Sequence, residues 1–170
     1  MSKPCIILDL LTLSSCSHPR RDMQPDEDVL KIVLELCDDG ATIYIHQVQY
    51  EKYYQGTGAI LRVKKYLGIS KCVKHYKTSS VEDLEELGLE NLKNRLKQMM
   101  HGDEYIGLVS AIKRLLLSCN CDEAIICLDR ALPKDEFLPA IKRRSVEAEP
   151  IKTIGDKSET AIYVLRKQRG

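Results

Sequence analysis

The sequence predicts an α/β domain with a central, mostly parallel sheet in a three-layer α/β/α arrangement. Two short apolar runs, Cys5–Leu8 and Ala124–Leu128, are rich in isoleucine, and each is followed directly by an aspartate. Continuous apolar runs of this length are typical of strands that are buried on both faces of a parallel sheet. Strand and helix patterns alternate in the first part of the chain, which favours right-handed crossover units with helices covering the sheet.

Length and composition indicate one soluble domain spanning residues 1–170. A chain of 170 residues can bury a core without disulfide bonds. Its net charge of +1 gives no overall attraction for nucleic acid, so such binding would need a local basic patch. The seven cysteines show no zinc-ligand spacing, which favours reduced thiols inside a cell. Neither a signal peptide nor a membrane span is expected, so we predict a cytoplasmic protein.

The first half of the chain contains two strand–helix units. Strand 1 is expected over residues 4–10, and Pro25 with the acidic residues after it opens a helix, as the helix dipole favours. Gly40 is expected to end that helix. Residues 41–45 are rich in β-branched and aromatic side chains and predict strand 2, and a further helix is expected from near Gln47.

The second half begins with a predicted helical insertion at about residues 56–101. A strong helix is expected after Asp103, followed by the strand at 124–128 and a helix that ends in basic residues. Residues 150–154 predict another strand. The C-terminal segment fits either a short helix or a strand, because its apolar residues suit both.

Four acidic residues occupy positions that an α/β topology could bring together. Asp9 and Asp129 follow strands, Glu51 lies in the helix after strand 2, and Asp103 begins the helix before the strand that ends at Asp129. Carboxylates held close together repel each other unless a cation neutralises them, and oxygen ligands suit Mg²⁺ or Mn²⁺. Such an ion can activate water for phosphodiester hydrolysis. Taken singly, each acid also fits a turn, a helix cap or a solvated helix face.

The order of these acids resembles the PIN-domain family of metal-dependent ribonucleases, which includes toxins of toxin–antitoxin pairs. The four matching segments are Ile6-Ile7-Leu8-Asp9, Ile45-His46-Gln47-Val48-Gln49-Tyr50-Glu51, Asp103-Glu104-Tyr105-Ile106 and Ile125-Ile126-Cys127-Leu128-Asp129-Arg130. The resemblance implies a PIN-like fold and an Mg²⁺- or Mn²⁺-dependent endoribonuclease. It implies metal binding by Asp9, Asp103 and Asp129, with Glu51 completing the catalytic set. Glu104 is the alternative third acid.

A basic run after residue 61 predicts contact with RNA, although an exposed charged helix face would explain it as well. The candidate RNA contacts are Arg62, Lys64, Lys65, Lys71, Lys74 and Arg130. A protein antitoxin and a homodimer are further expected partners. The alternative is an RNA- or protein-binding module with a decayed site, because Leu11 and Cys127 stand where the family carries small polar residues. A receiver-like signalling domain is less favoured, since it would need adjacent acids directly after strand 1.

Overall fold

The computed structural model describes residues 5–9, 12–13, 16, 26–47, 50–51, 72–76, 85, 88–98, 106–117, 121–128, 134–154 and 160–168. Within them, six strands form a single sheet in the order β3-β2-β1-β4-β6-β5. The strands are β1 (Cys5–Leu8), β2 (Thr42–His46), β3 (Val73–Tyr76), β4 (Glu123–Leu128), β5 (Val146–Thr153) and β6 (Ala161–Lys167).

Four neighbouring strands of the sheet are parallel. β1 pairs with β2 on one side and with β4 on the other, and β3 pairs with the outer edge of β2. The chain therefore builds the sheet outward from β1 through β2 to β3 and then returns to place β4 on the opposite side of β1. Strand order reverses between β1 and β4, and in open α/β sheets a crevice forms beyond the carboxyl ends of the strands at such a point.

The C-terminal part of the sheet is antiparallel. β6 pairs antiparallel with both β4 and β5, so that β5 forms one edge of a mixed sheet. Of the two structures that the sequence allowed for the C-terminal segment, the strand is the one that forms. The general α/β prediction is confirmed, with a mixed sheet whose parallel part is limited to four strands.

Four helices have both ends within the described residues. They are α1 (Glu27–Asp38), α2 (Glu90–Gln98), α3 (Ile106–Leu117) and α4 (Lys134–Lys142). The first forms as the sequence predicts: the Asp26 side chain accepts hydrogen bonds from two backbone N–H groups of the first turn, where acidic residues also favour the helix dipole. Gly40 adopts a φ of 91°, which lets the chain leave the helix without steric strain.

Two apolar clusters cover the two faces of the sheet. Successive residues of β1 alternate between them: Ile7 belongs to one cluster, whereas Ile6 and Leu8 belong to the other. The first, which we call the α3-side cluster, includes Leu108, Val109, Ile112 and Leu115 of α3 with Phe137 and Ile141 of α4. The second, the α1-side cluster, includes Val29 and Val33 of α1. β1 is thus buried on both faces, as its continuous apolar run predicts.

β3 lies within the interval for which the sequence predicted mostly helix. This strand has only four residues, and lysine and histidine interrupt its apolar pattern. Its formation depends on pairing with β2, about thirty residues earlier in the chain, rather than on local preference. The same interval does contain helix α2, as expected.

Six of the seven cysteines form disulfide bonds, in contrast to the expectation of reduced thiols. The pairs are Cys5–Cys121, Cys16–Cys127 and Cys37–Cys72. Their sequence separations of 116, 111 and 35 residues follow from the order of strands in the sheet. Cysteine spacing along the chain could not reveal these pairs.

None of the helices that the structure describes combines the length and the apolar character needed to cross a membrane.

Candidate functional site

Asp9 lies at the carboxyl end of β1, at the point where strand order reverses. Its backbone N–H donates a hydrogen bond to the carbonyl of Ile125, 2.9 Å away, and so continues the parallel pairing of β1 with β4. Only 1% of Asp9 is exposed. A buried carboxylate at a strand end is uncommon, since aspartate is seldom fully buried without a compensating charge or hydrogen bond. The predicted first acid therefore lies at the strand end at which open α/β sheets form their ligand sites.

The chain turns sharply after Asp9. Both the backbone N–H and the side-chain hydroxyl of Thr12 donate hydrogen bonds to the carbonyl oxygen of Asp9, at 3.0 and 2.7 Å. Thr12 is completely buried. These two bonds fix the backbone of Asp9 and satisfy a carbonyl that has left the β-ladder. Thr12 therefore helps to position the Asp9 carboxylate by holding the main chain of Asp9 in place.

His46 is a second buried polar residue beside Asp9. It is the last residue of β2 and is 1% exposed. Because Leu8 pairs with Ile45, the next step of the same parallel register brings Asp9 opposite His46. Neighbouring strands lie about 4.8 Å apart, so the two residues are adjacent across the strands. No role is predicted for His46 from the sequence, because the spacing of the four histidines indicates no metal cluster.

Asp9 and His46 fall on the same face of the sheet. Ile7 and Tyr44, each two residues earlier, both contribute to the α3-side cluster. Side chains two residues apart in a strand share a face, so the alternation places Asp9 and His46 on the side that α3 covers. Helix α3 contacts β1, β2 and β4.

Helix α3 begins at the same edge of the sheet as Asp9. It is 12 residues long, spans about 18 Å and leads through a short connection into the amino end of β4. Its first turn must then lie toward the carboxyl ends of the strands. Asp103 and Glu104 precede α3, and Asp129 follows β4 directly, but all three lie outside the described residues. The elements that flank them approach the edge at which Asp9 lies.

Glu51 differs from Asp9 in its environment. It is exposed, and its Oε1 accepts a hydrogen bond from Nε2 of Gln47 at 2.8 Å. This i, i+4 contact is what a solvated helix residue makes. Glu51 is therefore not part of the buried pair formed by Asp9 and His46.

The described part of the chain contains no group of three or more histidine, cysteine, aspartate or glutamate residues that could hold a metal ion. Asp9 and His46 supply two donors of suitable chemistry, one oxygen and one nitrogen. Asp103, Glu104 and Asp129, which the sequence predicts as further ligands, lie outside the described residues.

One of the candidate RNA contacts lies within the described residues. Lys74, on β3, is exposed; the other candidate RNA contacts lie outside the described residues, namely Arg62, Lys64, Lys65, Lys71 and Arg130. Another lysine, Lys152 of β5, is paired within the protein. It donates hydrogen bonds to Asp28 and Asp26 at the N-terminus of α1, and these bonds raise the pKa of its ammonium group.

The Cys16–Cys127 disulfide lies close in sequence to two of the predicted acids. Cys127 belongs to β4, two residues before Asp129, and Cys16 follows β1 in a left-handed conformation with a φ of 64°. The bond fastens the segment after β1 to β4. Cys127 thus has a covalent role at the position where the resembled family carries a hydroxyl side chain.

Comparison with known proteins assigns no family: the sequence matches no family model, and no curated protein matches it significantly.

Proposed function

We propose that this protein is a divalent-metal-dependent ribonuclease with a PIN-like, three-layer architecture that hydrolyses RNA phosphodiester bonds. The observation that carries the proposal is the buried carboxylate of Asp9 at the carboxyl end of β1, beside a strand, β4, that runs directly into Asp129. Ligand sites of open α/β sheets form at such a reversal of strand order.

The chemistry of this proposal follows from the residue types at the edge of the sheet. Asp9, Asp103 and Asp129 would hold Mg²⁺ or Mn²⁺, whose charge offsets the repulsion between carboxylates. Bound there, the ion would supply activation of water and stabilisation of charge on the phosphodiester. Glu51, which is exposed and hydrogen bonded to Gln47, would complete the ligand set or orient the attacking water from the solvent side.

The test is the substitution Asp9→Asn, which keeps the size of the side chain and removes its charge. We expect it to reduce Mn²⁺-dependent RNA cleavage about 100-fold or more, because a catalytic metal contributes several kcal/mol and about 1.4 kcal/mol is a tenfold change in rate. The matched control is Asp38→Asn, at the exposed C-terminal end of α1. Cleavage by Asp9→Asn at the wild-type rate, or wild-type cleavage that persists after chelation, would refute the proposal.

The alternative is an RNA- or protein-binding module on the same fold, and one observation favours it. Cys127 forms a disulfide with Cys16, and so it cannot provide the polar side chain expected near the fourth acid. Calorimetry separates the two functions: RNA binding without Mg²⁺ or Mn²⁺ binding supports the module. Under either function an RNA ligand, a protein antitoxin and a homodimer remain predictions.

A further inference from the structure

We infer that the exposed side of helix α4 is the contact surface of a homodimer, in which a second copy of this chain packs the same helix antiparallel against it. The surface is formed by Asp135, Pro139 and Lys142, which we call the α4 stripe. The inference does not depend on the ribonuclease proposal, and it gives the predicted homodimer a specific surface and symmetry.

The α4 stripe carries a negative charge at one end and a positive charge at the other. Its members are spaced i, i+4 and i+7, as residues on one side of an α-helix are, and all three are exposed. Asp135 and Lys142 are therefore about 10 Å apart along the helix axis. In the part of the chain that the structure describes, neither of them forms an ion pair.

This order of charges is complementary to itself when the helix is reversed. A two-fold axis through the middle of the stripe, near Pro139, places Asp135 of each copy opposite Lys142 of the other. Both contacts of the symmetric pair are then attractive, whereas a parallel arrangement of the two helices would bring like charges together. A second copy related by a two-fold axis is therefore the partner that the charges of the stripe fit.

The contact between α2 and α4 within one chain already uses an antiparallel arrangement of this kind. Arg95, in the second half of α2, forms an ion pair with Glu136 at the start of α4. At the opposite end, the guanidinium group of Arg144, two residues after α4, lies against Gly88, two residues before α2. The two helices therefore run antiparallel, and an acidic residue at the start of α4 meets a basic residue of its neighbour.

Two observations distinguish the α4 stripe from an ordinary solvated helix face. The helix dipole favours acidic residues first and basic residues last in any helix, but α1 has acidic residues in its first turn and no basic residue in its last. A cavity of about 590 Å³ between α2 and α4 also adjoins the stripe and is lined in part by Asp135, Pro139 and Leu92. The surface formed by α2 and α4 thus leaves space that a second copy can enter.

The experiment reverses the charges of the stripe and asks whether they can be recombined. The variants are Asp135→Lys, Lys142→Glu and the double variant that carries both exchanges. The control is Asp38→Lys, which makes the same change of charge on α1, on the opposite face of the sheet. Sedimentation equilibrium of the full chain at low and high ionic strength gives the dimer affinity, and circular dichroism reports whether each variant folds.

We expect wild-type protein and Asp38→Lys to form a dimer that weakens at high ionic strength, because salt screens exposed charges. The dimer should be weak, since one short helix of each copy offers less than the area of about 800 Å² per partner that stable interfaces bury. Each single reversal replaces two attractive contacts with two repulsive ones and should weaken self-association about tenfold or more.

The decisive samples are those that restore opposite charges at both contacts. An equimolar mixture of Asp135→Lys and Lys142→Glu should form a heterodimer about as strong as the wild-type dimer, although neither variant associates well with itself. The double variant should dimerise on its own, because its exchanged charges are again self-complementary. Recovery in these two samples requires that residues 135 and 142 face each other across the interface.

Three results overturn the inference. Wild-type protein that stays monomeric at its highest soluble concentration and low ionic strength shows that the stripe binds no second copy. A dimer whose affinity is unchanged by both single reversals uses another surface. Reversals that weaken the dimer without recovery in the mixture or in the double variant show that Asp135 and Lys142 are not opposite each other.

Discussion

Replacing Asp26 tests how the structure fastens α1 to the sheet. Oδ1 of Asp26 accepts hydrogen bonds from the backbone N–H groups of Asp28 and Val29, at 3.1 and 3.2 Å. Its carboxylate also pairs with Nζ of Lys152 on β5, 3.1 Å away. One side chain, 4% exposed, therefore caps the helix and joins it to a strand 126 residues later in the sequence. We expect Asp26→Ala to lower the free energy of unfolding.

The expected loss is the sum of two contributions. Removing an N-cap carboxylate costs about 1 kcal/mol. The ion pair adds about 0.5 kcal/mol, a low value that is appropriate because 36% of the Lys152 side chain is exposed to solvent. A total of about 1.5 kcal/mol corresponds to a melting temperature about 3–6 °C lower for a domain of this size.

Urea denaturation at pH 7 measures the change, and two further variants separate its parts. Asp26→Asn keeps a good capping side chain and removes the charge, so it should cost only about 0.5 kcal/mol. Asp28→Ala removes an exposed partner of Lys152 without touching the cap, and should cost no more than Asp26→Asn. Equal stability of Asp26→Ala and Asp26→Asn, or a larger loss in Asp28→Ala than in either, would contradict this role of Asp26.

The ion pair between Lys152 and the two aspartates also makes the stability of the protein depend on pH. Hydrogen bonds to Asp28 and Asp26 raise the pKa of Lys152 above its ordinary value of 10.5. The stability that the pair supplies is therefore complete below that pH and is lost as the pH rises through the raised pKa. The difference between wild-type protein and Asp26→Asn should accordingly shrink in strongly alkaline urea titrations.

Three other substitutions test the core and a second ion pair. Phe137 is 1% exposed in the α3-side cluster, so Phe137→Ala should lower the free energy of unfolding by about 3–5 kcal/mol in urea denaturation. Leu117 is 61% exposed, so Leu117→Ala should lower it by less than about 0.5 kcal/mol. Equal losses in the two variants would contradict the packing. A hydrogen bond from Lys93 lowers the pKa of Glu85 below 4.5. The advantage of wild-type protein over Glu85→Gln in thermal melts should therefore be present above pH 4.5 and should vanish as the pH falls below it.

The parts of the fold that the sequence predicted well are those in which local pattern and burial agree. The apolar runs of β1 and β4 are long enough to identify strands buried on both faces, and α1 carries its cap, its acidic first turn and its terminal glycine in sequence order. β3 was harder because its neighbour β2 is distant in the chain, and β6 was harder because its apolar residues suit a helix as well as a strand. A short strand gains its stability from cross-strand partners, which the sequence does not display.

In the candidate site, too, the sequence predicted the position of a residue but not the contacts that depend on distant parts of the chain. The position of Asp9 directly after a buried strand placed it correctly at a strand end, but its burial depends on α3 and on the turn closed by Thr12. His46 lies near the predicted site in the sequence, but it was given no role because the spacing of the four histidines indicates no metal cluster. Its significance comes from the register of β1 and β2, and that register is a property of the sheet rather than of either segment.

Toward the carboxyl ends of the parallel strands, the solvent exposure of polar side chains increases from β1 to β3. Asp9 and His46, at the ends of β1 and β2, are buried, whereas Glu51 in the segment after β2 and Lys74, two residues before the end of the outer strand β3, are exposed. Under the ribonuclease proposal, a metal ion would bind at the sheltered centre and the RNA backbone would contact the exposed β3 side. A cation held at low solvent exposure acts more strongly on a phosphodiester, because less water screens its charge. Phosphate-binding lysines, in contrast, need to remain exposed so that the polymer can reach them.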